Sequence, residues 1–152
     1  MTDLNQSDFA DVHYDIWRRN FVYGSRADVA SSEAVAKLGA DVILCLDETL
    51  EDVEPVTLGV KQIACRYLSE SLPADKLDFS YVLDDMQSIH QRKNRVMIQC
   101  RTGTKLAPGV LAAFLATREI DRGISVAIRT VENLYDVPVS DFMKSQLYNL
   151  YR

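Results

Sequence analysis

The sequence predicts a single α/β domain: a central, mostly parallel, twisted sheet of about four to five strands flanked by about five helices. Three observations carry that expectation. Short apolar runs rich in β-formers alternate with longer stretches whose apolar residues recur at helical spacing. A chain of 152 residues has the length of one domain with one sizeable core. No internal repeat, low-complexity segment or linker divides it.

Residues 1–15 read as a polar lead-in and 16–152 as the domain, with His13 at the surface and Ile16-Trp17 packing onto the domain. Asn20-Phe21-Val22-Tyr23-Gly24 reads as a short strand ending in a glycine turn, and Ser25 to Ala30 as a polar connection. Ser31-Ser32-Glu33 opens a helix, because a hydroxyl at its start accepts from an otherwise unpaired N–H. Val35 and Leu38 face inward along that helix and Gly39 stops it. Asp41 to Leu46 is a second strand, and the acidic run from Asp47 to Pro55 is a loop. Gly59 to Leu68 holds a third strand, with Val60, Ile63, Cys65 and Tyr67 as its apolar members.

Ser69 to Pro73 is a loop, and Asp75 to about Gln91 a helix with Phe79, Val82, Met86 and Ile89 in the core. Arg92-Lys93-Asn94-Arg95 reads as a solvated turn. Val96-Met97-Ile98 is an apolar strand at the sheet centre. A buried helix follows over Val110 to Thr117, with Pro108 in its first turn, where a missing N–H costs nothing. Asp121-Arg122-Gly123 makes a turn. Ile124, Ile128, Val131 and Tyr135 mark an amphipathic helix, which Asp136-Val137-Pro138 breaks. Val139 to Tyr151 is the last helix, with Phe142, Leu147 and Leu150 inward.

Composition narrows the function. The net charge of −5 argues against broad nucleic-acid or anionic-membrane binding. No apolar run reaches the roughly 18 residues a membrane helix needs, so no membrane insertion is expected. The first residues lack the basic and apolar regions of a secretion signal. Cys45, Cys65 and Cys100 are odd in number and far apart, which favours a reducing compartment, so an intracellular location, cytoplasmic or nuclear, is expected. Cys45 and Cys65 sit in apolar runs and are expected as small core residues. His13 and His90 are well apart, so neither a metal-ligand cluster nor a cofactor is expected.

The stretch from Val96 to Thr117 organises the rest. Gly103 permits backbone angles that other residues avoid, and the strand–loop–helix order aims several N–H groups at one spot beside a helix N-terminus. Such a loop is suited to an anion. Cys100 after a strand, then Gly103, Pro108 and a small-residue helix, resembles the active-site loop of the cysteine-dependent dual-specificity protein phosphatases. The resemblance extends over about 130 residues. Phe21-Val22-Tyr23-Gly24-Ser25 is similar to that family's early strand, and Leu38 through Leu46 to its next. Pro138 through Phe142, with Gln146-Leu147 and Leu150-Tyr151, is similar to its closing helix.

The resemblance implies a loop of His-Cys, five residues, Arg, then Ser or Thr. The thiolate attacks phosphorus, the guanidinium grips two phosphate oxygens, and the last hydroxyl assists hydrolysis of the intermediate. In Gln99-Cys100-Arg101-Thr102-Gly103-Thr104-Lys105-Leu106-Ala107 only the cysteine remains: Gln99, Leu106 and Ala107 occupy the other three places. Losing a bidentate guanidinium–phosphate pair costs on the order of 3–6 kcal/mol, or roughly a hundred- to ten-thousand-fold. The family's Asp general acid also lacks a counterpart, since Tyr67 to Pro73 contains only Glu70, read either as a solvated loop residue or as a displaced acid. Asp75 is read as a helix cap.

The expectation is therefore a loop with no functional catalytic residue, in a pseudophosphatase that works by binding one or more proteins, phosphorylated or not, as scaffold, competitor or complex subunit. Two alternatives stand beside it. One is a phosphate-binding module that uses loop amides with Arg101, Gly103 and Lys105, whose two basic side chains would flank the pocket mouth. The other is a weak, specialised cysteine phosphatase using Cys100. The aromatic groups Phe9, Tyr14 and Trp17, and Tyr148 and Tyr151, are read as core or contact.

Overall fold

The computed structural model describes residues 20–92, 94–119 and 123–151. The expectations for residues 1–19, including His13, Phe9, Tyr14 and Ile16-Trp17, and for Asp121-Arg122, lie outside them. Four short strands, β1 (Phe21–Gly24), β2 (Val42–Cys45), β3 (Gln62–Cys65) and β4 (Val96–Gln99), form one sheet in the order β1-β4-β2-β3, and every pairing is parallel. β4 pairs on both sides, Val22 and Ile43 both facing Met97, and all its residues are buried. Burial on both faces is why its sequence is continuously apolar rather than alternating.

The helices are α1 (Ser32–Leu38), α2 (Pro55–Leu58), α3 (Lys76–Gln91), α4 (Ala107–Phe114), α5 (Ile124–Tyr135) and α6 (Asp141–Leu150). Strand residues alternate between two apolar layers. Phe21, Val42, Leu44, Val96 and Ile98 join the larger one, with Phe79 and Met86 of α3, Leu111 and Phe114 of α4, Val131 of α5 and Leu147 of α6. Ile43, Cys45 and Met97 join the smaller one, with Val35 of α1 and Leu58 of α2. Ends fall where the local chemistry puts them. The Ser31 hydroxyl accepts from the Ala34 amide at 3.1 Å and Gly39 closes α1 at φ 70°. Ser140 caps α6 in the same way, accepting from Met143 N at 3.2 Å.

The structure corrects four expectations. The acidic loop gives way to α2 at Pro55, because proline at the first helical position starts a turn rather than breaking one. The polar connection after β1 contains a 3₁₀ turn, Ala27–Val29. In the basic run Arg92 is exposed and Lys93 lies outside the described residues, but the last two positions are not solvated: Asn94 is buried and accepts from Lys61 Nζ at 3.3 Å, and Arg95 donates through Nε to the Leu38 carbonyl at 3.0 Å. Cys65 is exposed rather than core, because β3 is an edge strand with a neighbour on one side only among the described residues. Beyond α4 the chain widens into a π turn, Leu115–Glu119, where Thr117 Oγ1 donates back to the Ala113 carbonyl at 2.8 Å. Among the described residues no helix is long and apolar enough to cross a membrane.

Phe114 joins sheet to helices, its ring centroid 5.5 Å from that of Phe21. Phe114→Ala is expected to cost about 3–5 kcal/mol in urea unfolding. Val56→Ala, at a side chain 85% exposed, is expected to stay within about 0.5 kcal/mol. Similar losses at the two positions would contradict this packing.

Candidate functional site

The loop after β4 is tied to the end of β1. Cys100 N donates to the Gly24 carbonyl at 3.0 Å and Arg26 N donates to the Arg101 carbonyl at 3.1 Å. Gly103 sits between these bonds at φ 84°, and a Cβ there would lie 3.2 Å from both the Gly24 carbonyl carbon and Ser25 N. Positive φ and close backbone approach together require glycine. The loop then folds on its own hydroxyl: Thr102 Oγ1 accepts from the amides of Thr104 and Lys105, each at 3.3 Å. Two N–H groups of the kind that would meet an anion have an internal acceptor.

The side chains divide sharply. Cys100, Leu106 and Ala107 are buried, and Cys100 and Leu106 belong to the larger apolar layer. Leu106 is 1% exposed and its carbonyl accepts from Val110 N at 3.0 Å, so it both starts α4 and fills core space. Lys105 turns toward α6, its Nζ 5.4 Å from the Phe142 ring centroid, while its carbonyl accepts from Ser140 Oγ at 2.8 Å. Arg101 is exposed at a cleft. The loop thus presents Arg101 and Lys105 on different sides.

Gln99 is fully buried and anchors a polar network beneath the loop. Its Oε1 lies 2.8 Å from Cys45 Sγ, which donates to it. Its Nε2 donates to Asp47 Oδ2 at 3.2 Å and to the Cys100 carbonyl at 3.1 Å. Asp47 also accepts from Thr49 N at 2.8 Å and from Arg26 Nε at 3.4 Å, and Arg26 continues to Thr49 Oγ1 at 3.0 Å and Glu48 at 2.8 Å. Burial penalises the Asp47 charge, but hydrogen bonds from Thr49, Gln99 and Cys45 outweigh it and hold the carboxyl below its usual range. Burial pushes the Cys45 thiol up to about 12, against backbone hydrogen bonds at Leu50 and Asp47.

A cleft of about 190 Å³ opens over the network, bounded by Arg26, Asp47, Glu48, Ser69, Glu70 and Arg101. Glu70 lies in its wall, with Oε1 out of solvent and without a hydrogen-bond partner among the described residues. The wall thus mixes the carboxylates of Asp47, Glu48 and Glu70 with the guanidiniums of Arg26 and Arg101, and Arg26 is already paired with Asp47 and Glu48. Asp75 instead accepts from Asp78 N at 2.8 Å, the cap expected for α3. Among the described residues no group of three or more His, Cys, Asp or Glu is placed to hold a metal ion.

Sequence reading found the loop but missed Asp47, Arg26 and the link from Gln99 to Cys45. The available signal was a buried-strand cysteine two residues before an aspartate, and it names no partner.

Because the folded pKa of Asp47 is depressed, its contribution to stability is full above the ordinary carboxylate value near about 3.9 and is lost as pH falls through the depressed value. Asp47→Asn is therefore expected to lower stability at about pH 7, and the difference should shrink by about pH 3. Urea unfolding at both pH values measures it, and a difference independent of pH would contradict the network.

No family model matches the chain, and no curated protein matches it in sequence. Solved structures do match. Human DUSP28 superposes with a TM-score of 0.67 at 16% identity, covering 86% of this chain and 90% of its own. The human tyrosine phosphatase-like serine/threonine/tyrosine-interacting protein gives 0.67 at 12%, covering 86% and 89%. A leucine rich repeat and phosphatase domain containing protein from Entamoeba histolytica gives 0.64 at 20%, covering 86% and 85%. At such identities the likeness establishes architecture: this chain has the fold of the dual-specificity and tyrosine phosphatases.

Proposed function

We propose that the chain is a pseudophosphatase of the dual-specificity phosphatase family, acting inside the cell through protein–protein interaction as a scaffold, competitor or complex subunit. Leu106 carries the reading. It stands where the family pattern places the phosphate-gripping arginine, and it is 1% exposed within the larger apolar layer. An alkyl chain neither donates a hydrogen bond to a phosphoryl oxygen nor balances its charge. Gln99 and Ala107 replace the other two catalytic partners, and no aspartate stands between Tyr67 and Pro73. Among the described residues the neighbouring cleft offers no free substitute for that arginine beyond Arg101, since Arg26 is paired with Asp47 and Glu48 and Glu70 stands in the same wall.

A phosphate-binding module built on Arg101, Gly103 and Lys105 draws less support. Lys105 lies against Phe142, and Thr102 already accepts from two loop amides. One protein that shares the fold is itself named as phosphatase-like and interacting, so the proposed role has a counterpart on this architecture.

Purified protein is expected to hydrolyse an aryl phosphate no faster than a Cys100→Ser control. Leu106→Arg alone should not restore full activity, because Gln99, Ala107 and the missing acid remain. Turnover at enzymatic rates that Cys100→Ser abolishes would overturn the proposal. Affinity capture should recover a protein partner that Cys100→Ser retains.

A further inference from the structure

We propose that Cys45 and Cys65 form a reversible cross-strand disulfide, a thiol-oxidation site at the sheet edge that is coupled to the loop after β4 through Gln99. The inference does not depend on whether the loop binds phosphate. Cys45 and Cys65 are register partners at the ends of β2 and β3, so they project from the same sheet face. Adjacent strands run about 4.8 Å apart, within the span of about 4.4–6.8 Å that a disulfide bridges between Cα atoms. Both cysteines are free thiols. Partial desolvation pushes the Cys65 thiol up, the Cys45 thiol beside it draws it partway back, and the Glu51 and Asp47 carboxylates raise it further. Among the described residues β3 is an edge strand, so it can adjust toward β2 without breaking a pairing on its outer side.

Cys100 is not a competing partner. It belongs to the larger apolar layer, whereas Cys45 belongs to the smaller one on the opposite face of the sheet. The difference in exposure sets the order of events. Cys65 is exposed in an open cleft of about 270 Å³ shared with Asp47, Glu48, Glu51 and Tyr67, while Cys45 is buried behind it. The Cys65 thiolate attacks one sulfur of a small-molecule disulfide, whose S–S bond breaks to release one thiol and leave a mixed disulfide. The Cys45 thiolate then attacks Cys65 sulfur and expels the second thiol. The two cysteines give up two electrons and two protons, and the small disulfide is reduced to two thiols. Three carboxylates at the opening favour a cationic disulfide over an anionic one.

The product carries a consequence for the loop. Cys45 Sγ lies 2.8 Å from Gln99 Oε1, 3.0 Å from the Asp47 carbonyl oxygen and 3.5 Å from Asp47 Oδ1, all acceptors for its thiol proton. Oxidation removes that proton and leaves Gln99 Oε1 without this donor. Gln99 bridges Asp47 to the Cys100 carbonyl, so the change reaches the first residue of the loop.

The test treats the folded full chain with cystamine at mildly alkaline pH, quenches with acid, alkylates and digests with trypsin without reduction. The expected product joins peptide 38–61 to peptide 62–66 and is reversed by dithiothreitol, with Cys100 still alkylated after unfolding. In Cys65→Ser, Cys45 should remain free. The Gln99 side-chain amide resonances should shift on cross-linking. A Cys65–cysteamine adduct that persists beside free Cys45, a bond to Cys100, or no reaction would overturn the disulfide. An unmoved Gln99 amide would overturn the coupling.

Discussion

The packing of Leu106 into the larger apolar layer is the constraint on which the loop after β4 depends. Its side chain is held among strand and helix residues while its carbonyl begins α4. A buried leucine of this kind contributes about 1.5–3 kcal/mol by leaving water. That gain ties the loop to the core from inside. Bonds to Gly24 and from Arg26 tie it to β1, and Thr102 closes it on itself. Backbone and core contacts therefore hold the geometry of an anion-binding loop.

Beneath the loop, Gln99 solves a problem created by its own burial. An unpaired amide in the interior costs about 1–3 kcal/mol, and here Cys45, Asp47 and the Cys100 carbonyl satisfy it. Asp47 in turn keeps its charge through Thr49, Gln99 and Arg26. Arg26 comes from the turn after β1, Asp47 from the end of β2 and Gln99 from β4, so the network fastens three strands at the carboxyl end of the sheet. Open α/β sheets present their ligands at that end, and there this chain places Asp47, Glu48 and Glu70 together with Arg26 and Arg101.

Much of the fold was legible because it follows local rules. Val96 to Ile98 reads as a central strand because burial on both faces makes a strand continuously apolar, and Gly39 and Ser31 mark helix ends by their own chemistry. Cys65 was misread because edge or centre is a matter of strand order, which no residue within Gln62–Cys65 encodes. Pro55 was misread because proline both ends and begins helices, and the choice depends on what packs behind it; Leu58 does so here. The loop's composition was visible at Gln99, Leu106 and Ala107. The Gln99–Asp47 and Cys45–Gln99 bonds were not, since they join residues 52 and 54 positions apart. The direction of Lys105 was equally hidden, because it depends on where α6 brings Phe142.

The central claim is that this loop serves the fold rather than an anion. Thermal unfolding of the intact chain in increasing inorganic phosphate tests it most directly, with chloride matched for ionic strength. A ligand of the native state raises the midpoint, by the equivalent of about 2.7 kcal/mol at a hundred times its dissociation constant. The account predicts the same midpoint in phosphate and chloride. A saturable rise specific to phosphate, lost in Arg101→Ala, would contradict it.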